Sequence, residues 1–183
     1  GAGALLLLLL RYARPRFGRR FMQVYVEFLQ GTPFLLQLFL IFFGLPKLGL
    51  DVSPLMAAMI GLTLYASAFL AEIWRGCVDA IPRGQWDASA SLGMTFIQQM
   101  RDVILPQALR RILPALAGQI ISTIKDSAIV SVISIPELTF QGLEIMSATY
   151  LTFEVWITIT ILYFILTFGV SLGVRRLEKA WRY

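Results

Sequence analysis

The basic residues of this chain gather in three clusters, and each neighbouring pair of clusters is separated by enough apolar sequence to cross a bilayer twice. Of the 16 Lys and Arg, five lie between Arg11 and Arg20, five are Arg75, Arg83, Arg101, Arg110 and Arg111, and four run from Arg175 to Arg182. Only Lys47 and Lys125 stand outside them. Basic residues mark the cytoplasmic ends of membrane helices, so three clusters with two helices between neighbours define a self-consistent topology. The composition agrees: 57% hydrophobic and 15% charged, against roughly 45–50% and about 25% in soluble domains. A length of 183 residues holds about four or five helices of roughly 20 residues each plus connections. The expected fold is therefore an all-α integral membrane protein forming one transmembrane domain over residues 1–183.

Several chemistries are excluded at once. There is no His, the commonest general base and metal ligand, so no metal site is expected. Cys77 is the single cysteine and cannot form an internal disulfide. No Gly-rich loop followed by Lys-Ser or Lys-Thr occurs, so the chain cannot cradle a nucleotide by the P-loop route. The net charge of +5 reads as loop topology rather than as a nucleic-acid surface. No cofactor and no catalytic constellation are expected, and the chain is not itself an enzyme.

Along the chain, "GAGALLLLLL" spans only about 15 Å as a helix, half the hydrocarbon thickness. Its positive charges follow the apolar run, the reverse of a signal peptide, so residues 1–10 read as the remnant of a first helix. A second helix is expected over 21–45, with "RFMQVYVEFLQ" as a lead-in. Thr32 stands at its N-cap, Pro33 at its first position, and Gly44 and Pro46 stop it. Lys47 to Ser53 is expected as a short outer turn. The third helix covers 54–75, with Gly61, Ala66, Ser67 and Ala68 small enough for close helix approach. The fourth covers 110–135 and the fifth 153–174, with "PELTFQGLEIMSATYLT" as an outer loop between them. Glu144 and Glu154 near that face are solvated acids on the plainest reading; attraction of a cationic solute is the alternative. Glu72 and Arg75, three apart at a helix end, are expected to pair locally.

The stretch "GQWDASASLGMTFIQQMRDVILPQALRR" lies between the third and fourth helices, and the loop over 82–106 is too polar for the bilayer. Pro82 can open a short helix and Gly93 is its natural stop. Thr95 and Gln98 match a capping box for a second short helix, with Phe96, Ile97, Met100, Val103 and Ile104 on one face. Leu105 precedes Pro106 and is biased out of the helical region. Helices this short are marginal alone, so packing must hold them, against either the membrane surface or a docked cytoplasmic partner.

These residues resemble the permease subunits of bacterial ABC importers, in particular the polar amino-acid branch. That family carries the pattern E-A-A, three residues, Gly, nine residues, I-x-L-P. Here it reads Asp87-Ala88-Ser89, Gly93 and Val103-Ile104-Leu105-Pro106, with the spacing intact. The flanks "AEIWRG", "IPRGQWDA", "VILPQALRRILP", "IKDSAIVSVISIPEL" and "FLQGTP" are similar too, so the resemblance covers essentially the whole chain. Asp87 and Ser89 depart from the pattern's Glu and second Ala, and Gln30 and Cys77 stand where Arg and Gly are expected. The resemblance implies a type I ABC importer permease in the bacterial inner membrane, multi-pass, with a cytoplasmic C-terminus. It implies that the loop is a coupling helix docking in an ATPase, through Asp87, Ala88, Ser89, Gly93, Leu105 and Pro106. It further implies two ATPase copies, a second permease subunit in a homo- or heterodimer, an extracytoplasmic amino-acid-binding protein, and an amino-acid substrate.

The fourth helix carries Gln119, Ser122, Thr123, Asp126, Ser127 and Ser134 within one broad face. A polar stripe on a membrane helix faces protein or water: it either lines a hydrophilic pathway or bonds neighbouring helices. Lys125 points away from Asp126, and both are costly at such depth; they contact substrate or complete a structural ion pair. Two other function classes stay in view beside the importer, an ATP-independent channel or secondary transporter and a membrane scaffold that recruits a cytoplasmic protein.

Overall fold

A computed structural model describes residues 17–181, so the expected remnant helix at 1–10 lies outside the described residues. Seven helices follow one another there: α1 Phe17–Gly31, α2 Phe34–Lys47, α3 Pro54–Asp79, α4 Arg83–Ser91, α5 Phe96–Ile133, α6 Leu138–Thr149 and α7 Thr152–Trp181. The helices α3, α5 and α7 are each long and apolar enough to cross a membrane. The bent pair α1 and α2 makes a fourth crossing if counted as one span.

The helix α1 has three faces. Met22, Val26 and Leu29 pack on Ala68 and Ala71 of α3, while Phe21, Val24 and Phe28 are exposed on a second face. Gln23, Glu27 and Gln30 share the third. Tyr25 reaches across to α3, its hydroxyl donating to the Leu64 carbonyl at 3.0 Å and bonding the Ser67 hydroxyl. Such interhelical bonds in a bilayer average about 0.6 kcal/mol, so the small-residue packing carries most of the contact.

Between α1 and α2 the chain turns by 105°. Gln37 is buried, and its amide donates to the Leu29 carbonyl at 2.8 Å, the Thr32 carbonyl at 3.0 Å and the Thr32 hydroxyl at 2.8 Å. Thr32 does not cap α2 as the sequence suggests. Its hydroxyl donates back to the Phe28 carbonyl at 2.7 Å, closing α1, and Pro33 takes the cap position with no side-chain bond. Nor does α2 stop at Pro46. A π turn over Leu40–Gly44 widens the helix where the proline ring would meet a carbonyl one turn back, and helix resumes over Leu45–Lys47.

Ser53 caps α3, accepting from the Met56 amide at 3.2 Å, with Pro54 at the first helical position. Ala57, Ala58 and Gly61 are buried. A Cβ at Gly61 would lie 3.4 Å from a ring carbon of Phe34, so the glycine sets how closely α2 approaches. Leu38, Ala57, Ala58, Val130 and Ile133 form the core at this end of the bundle, and Val78, Ile81, Ile104 and Ala108 form the core at the other.

Three sequence expectations change here. The second short helix of the loop is no separate element: it is the start of α5, continuous for 38 residues to Ile133. Leu105 is helical, at φ −60° and ψ −42°, because the π turn over Gln99–Ile104 absorbs the strain that Pro106 would impose. The expected outer loop is likewise largely helix. Glu137 caps α6, accepting from the amides of Thr139 at 2.9 Å and Phe140 at 2.8 Å, and Gly142 beds α6 against Val155 and Ile159 of α7.

Candidate functional site

The helix α4 starts after Pro82, at φ −54° and ψ 136°, and ends in a full Schellman turn. The Gly93 amide bonds the Ala90 carbonyl at 2.9 Å, and the Met94 amide bonds the Ser89 carbonyl at 3.3 Å. Gly93 sits at φ +74°, a conformation that needs glycine or asparagine. The capping box read from the sequence opens α5: the Thr95 amide donates to Gln98 Oε1 at 2.8 Å, and the Gln98 amide to Thr95 Oγ1 at 3.4 Å.

This hairpin is packed onto the charged end of the bundle. Trp86, Met100 and Val103 close over Val78, Ile81, Ile104 and Ala108, and the Trp86 ring lies parallel to Phe96 with centroids 6.4 Å apart. Ser89 is buried, its hydroxyl donating to the Trp86 carbonyl at 2.9 Å. Its small side chain is what the site admits. Asp87, Ala88, Gly93 and Pro106 are exposed and Leu105 is half-buried. The one-face reading of the second segment holds only in part, because the π turn rotates the start of α5 relative to the rest. Ile104 is fully buried, whereas Leu92 is 81% and Ile97 75% exposed at the tip.

Two long-range bonds without any local sequence signal tie α3, α4 and α5 together at this hairpin. The Gln107 amide donates to Gln85 Oε1 on α4 at 3.0 Å and to the Val103 carbonyl at 2.9 Å. The Arg111 guanidinium donates to the Ala80 carbonyl, just past the end of α3. Nearby, Arg75 bonds Glu72 through Nε at 3.0 and 2.8 Å and reaches Asp79 at 3.1 Å, the local pairing expected, extended by one acid.

Two hydroxyls of the α5 polar stripe, those of Thr123 and Ser127, are satisfied within the helix. Thr123 donates to the Gln119 carbonyl at 2.9 Å, Gln119 reaches the Thr123 hydroxyl at 3.4 Å, and Ser127 donates to the Ile124 carbonyl at 2.7 Å. Ser122 is half-buried. Lys125 is exposed, and half-buried Asp126 has Tyr65 of α3 as an electrostatic neighbour. Among the described residues neither Lys125 nor Asp126 forms an ion pair. Ser134 ends the segment at φ 62°. Glu144 and Glu154 are exposed, the latter in the first turn of α7. A polar network missed in the sequence joins α6 to α7: Tyr163 donates to Glu137 Oε2 at 2.8 Å and bonds Thr139 at 3.2 Å. No local signal marks it, because Glu137 and Tyr163 stand 26 residues apart. No group of three metal-ligating side chains occurs among the described residues.

Residues 3–183 match the family described as binding-protein-dependent transport system inner membrane component. The chain is 39% identical over 155 residues to a probable glutamine ABC transporter permease protein, GlnM, of Bacillus subtilis, covering 85% of this chain and 72% of that one. Its backbone is similar to a crystal structure of an amino acid ABC transporter with histidines, with TM-score 0.92 and 38% identity, over 98% of this chain and 84% of the other. It is also similar to inward-facing MetNI methionine ABC transporter, with TM-score 0.76 and 26% identity, over 97% and 85% of the two chains.

Proposed function

The chain belongs to the binding-protein-dependent transport system inner membrane component family and has the permease fold of type I ABC importers, and we propose that it is the membrane subunit of an ATP-driven amino-acid importer. In this reading it hydrolyses nothing itself. Two copies of a separate ATPase supply the energy, an extracytoplasmic binding protein delivers the amino acid, and a second permease subunit, identical or related, completes the pathway. The chain sits in the bacterial inner membrane with its C-terminus in the cytoplasm, as the basic clusters favour.

One observation carries the coupling part of the reading. The hairpin of α4 and the start of α5 is rigidly capped and packed, yet it presents Leu92 and Ile97 to solvent. Exposed apolar side chains on a polar, braced turn suit a docked protein. Asp87, Ala88, Ser89, Gly93, Leu105 and Pro106 form the coupling segment, with Ser89 bracing it from inside. Closure of the ATPases pulls on this segment and tilts α3 and α5.

The pathway part rests on Gln119, Ser122, Thr123, Lys125, Asp126 and Ser127. The bonds of Gln119, Thr123 and Ser127 stay within α5, which leaves the stripe free to face water rather than glue helices together. Asp126 and Lys125 are the charges a zwitterionic substrate would meet.

The test is purification of the full-length protein from native membranes in mild detergent, with co-purifying proteins identified by mass spectrometry. A stoichiometric P-loop ATPase is expected. A partner without a nucleotide site would favour the scaffold reading. Uptake persisting in vesicles without nucleotide would favour the ATP-independent transporter.

A further inference from the structure

The charged end of the bundle contains one contact whose purpose the packing does not explain. The helix α3 ends near Asp79, and its last carbonyls have no partner within the helix. The carbonyl of Ala80 receives the guanidinium of Arg111, which stands 31 residues further on in α5. Arg111 is exposed and contributes nothing to the buried cluster of Val78, Ile81, Ile104 and Ala108. A cation at a helix C-terminus is favoured by the helix dipole, and the bond is charge-assisted. One turn earlier on α5, Gln107 holds Gln85 of α4. Thus Arg111 ties α5 to the end of α3, and Gln107 ties α5 to α4.

We infer that Arg111 is a positioning residue that clamps α3 to α5, so that force entering through α4 moves both helices as one body. The inference deepens the importer reading and rests on it. The link between α3 and α4 is three residues, Ala80 to Pro82, and Pro82 is in extended conformation, a natural pivot between the two helices. Without the clamp, only the apolar packing of Val78 and Ile81 on Ile104 and Ala108 would hold α3 to α5, and a pull on α4 about this pivot would shear that contact. Arg111 closes the pivot from the far side. It touches no substrate and is not required for ATP hydrolysis.

The experiment uses the whole complex, reconstituted in vesicles with its ATPase and binding protein, and a radiolabelled mixture of the protein amino acids. Uptake and ATP hydrolysis are measured together. Arg111→Ala is expected to leave assembly and hydrolysis in place while uptake per ATP falls by at least about fivefold, the lower end of typical coupling between linked sites. Arg111→Lys keeps one donor for the Ala80 carbonyl and is expected to restore most of the ratio. An unchanged ratio in Arg111→Ala, or an equal loss in Arg111→Lys, overturns the clamp. If Arg111→Ala fails to assemble, spin labels at Gly76→Cys and Leu109→Cys in a Cys77→Ser background decide the matter in Arg111→Lys and the native chain. A fixed spacing through the ATP cycle supports the clamp, and a spacing that changes with nucleotide overturns it. A wild-type complex whose uptake is indifferent to ATP would sink the importer reading itself, a result distinct from any of these.

Discussion

Gly142 of α6 lies so close to Ile159 of α7 that a Cβ on the glycine would stand 2.9 Å from Ile159 Cγ1 and 3.1 Å from its Cδ1. Cγ1 hangs directly from a branched Cβ whose χ1 is nearly fixed in a helix, so it cannot swing aside. The backbones would have to part. Overpacking costs about 1–3 kcal/mol, offset by roughly 0.8–1 kcal/mol of helix propensity gained from Gly to Ala. Gly142→Ala is therefore expected to lose about 1 kcal/mol, read as a lowered Tm in detergent. Adding Ile159→Ala should cost less in that background than in the native chain, since it removes both crowded atoms.

Gln37 closes the bend between α1 and α2 by satisfying the Leu29 and Thr32 carbonyls. Gln37→Met keeps the volume and removes the donor. Orphaned carbonyls in a low-dielectric setting cost about 1–3 kcal/mol, so Tm should fall and amide exchange should quicken around residues 28–34. Unchanged exchange there would mean that packing alone fixes the 105° turn.

What the sequence revealed, and what it hid, follows from the range of the interactions. The start of α3 at Pro54, the Thr95–Gln98 capping box and the stop at Gly93 are all decided within a few residues, and each stands in the structure as its local chemistry dictates. Two of the three Leu-Pro steps, Leu45-Pro46 and Leu105-Pro106, depart from the sequence expectation for a reason of the same kind. A local rule ends a helix before proline, but a π turn placed just upstream, at Leu40–Gly44 and again at Gln99–Ile104, lets the helix continue. No residue pattern announces those turns. Glu137 was hidden by its setting, because an acid after proline in an outer connection reads as solvated until Tyr163, 26 residues away, is seen to donate to it. Gln107 with Gln85 and Arg111 with Ala80 are legible only once α3, α4 and α5 are folded together.

Asp126 is half-buried on the polar face of α5 with no ion pair among the described residues. A charge in such a place costs a few kcal/mol by insertion scales. Asp126→Asn removes that cost, so Tm should hold or rise. If the carboxylate meets the substrate amine, uptake should nonetheless fall by about tenfold or more, equivalent to roughly 1.4 kcal/mol of lost interaction. A loss of Tm together with uptake would instead mark Asp126 as a structural residue.

Gly93 allows strain and contact to be separated. Its φ of +74° penalises every residue with a Cβ, and a Cβ built there meets nothing within 4 Å. Gly93→Ala and Gly93→Arg therefore suffer the same strain, about 1–2 kcal/mol, and no clash inside this chain distinguishes them. Gly93→Asn, which tolerates the left-handed region, should lose less. Any difference between Ala and Arg must come from outside the chain. If an ATPase covers the turn beside Leu92 and Ile97, Gly93→Arg should abolish co-purification and uptake while its Tm matches that of Gly93→Ala, which should retain both. Equal uptake by the two variants would reduce Gly93 to a helix stop, with the docking surface lying elsewhere.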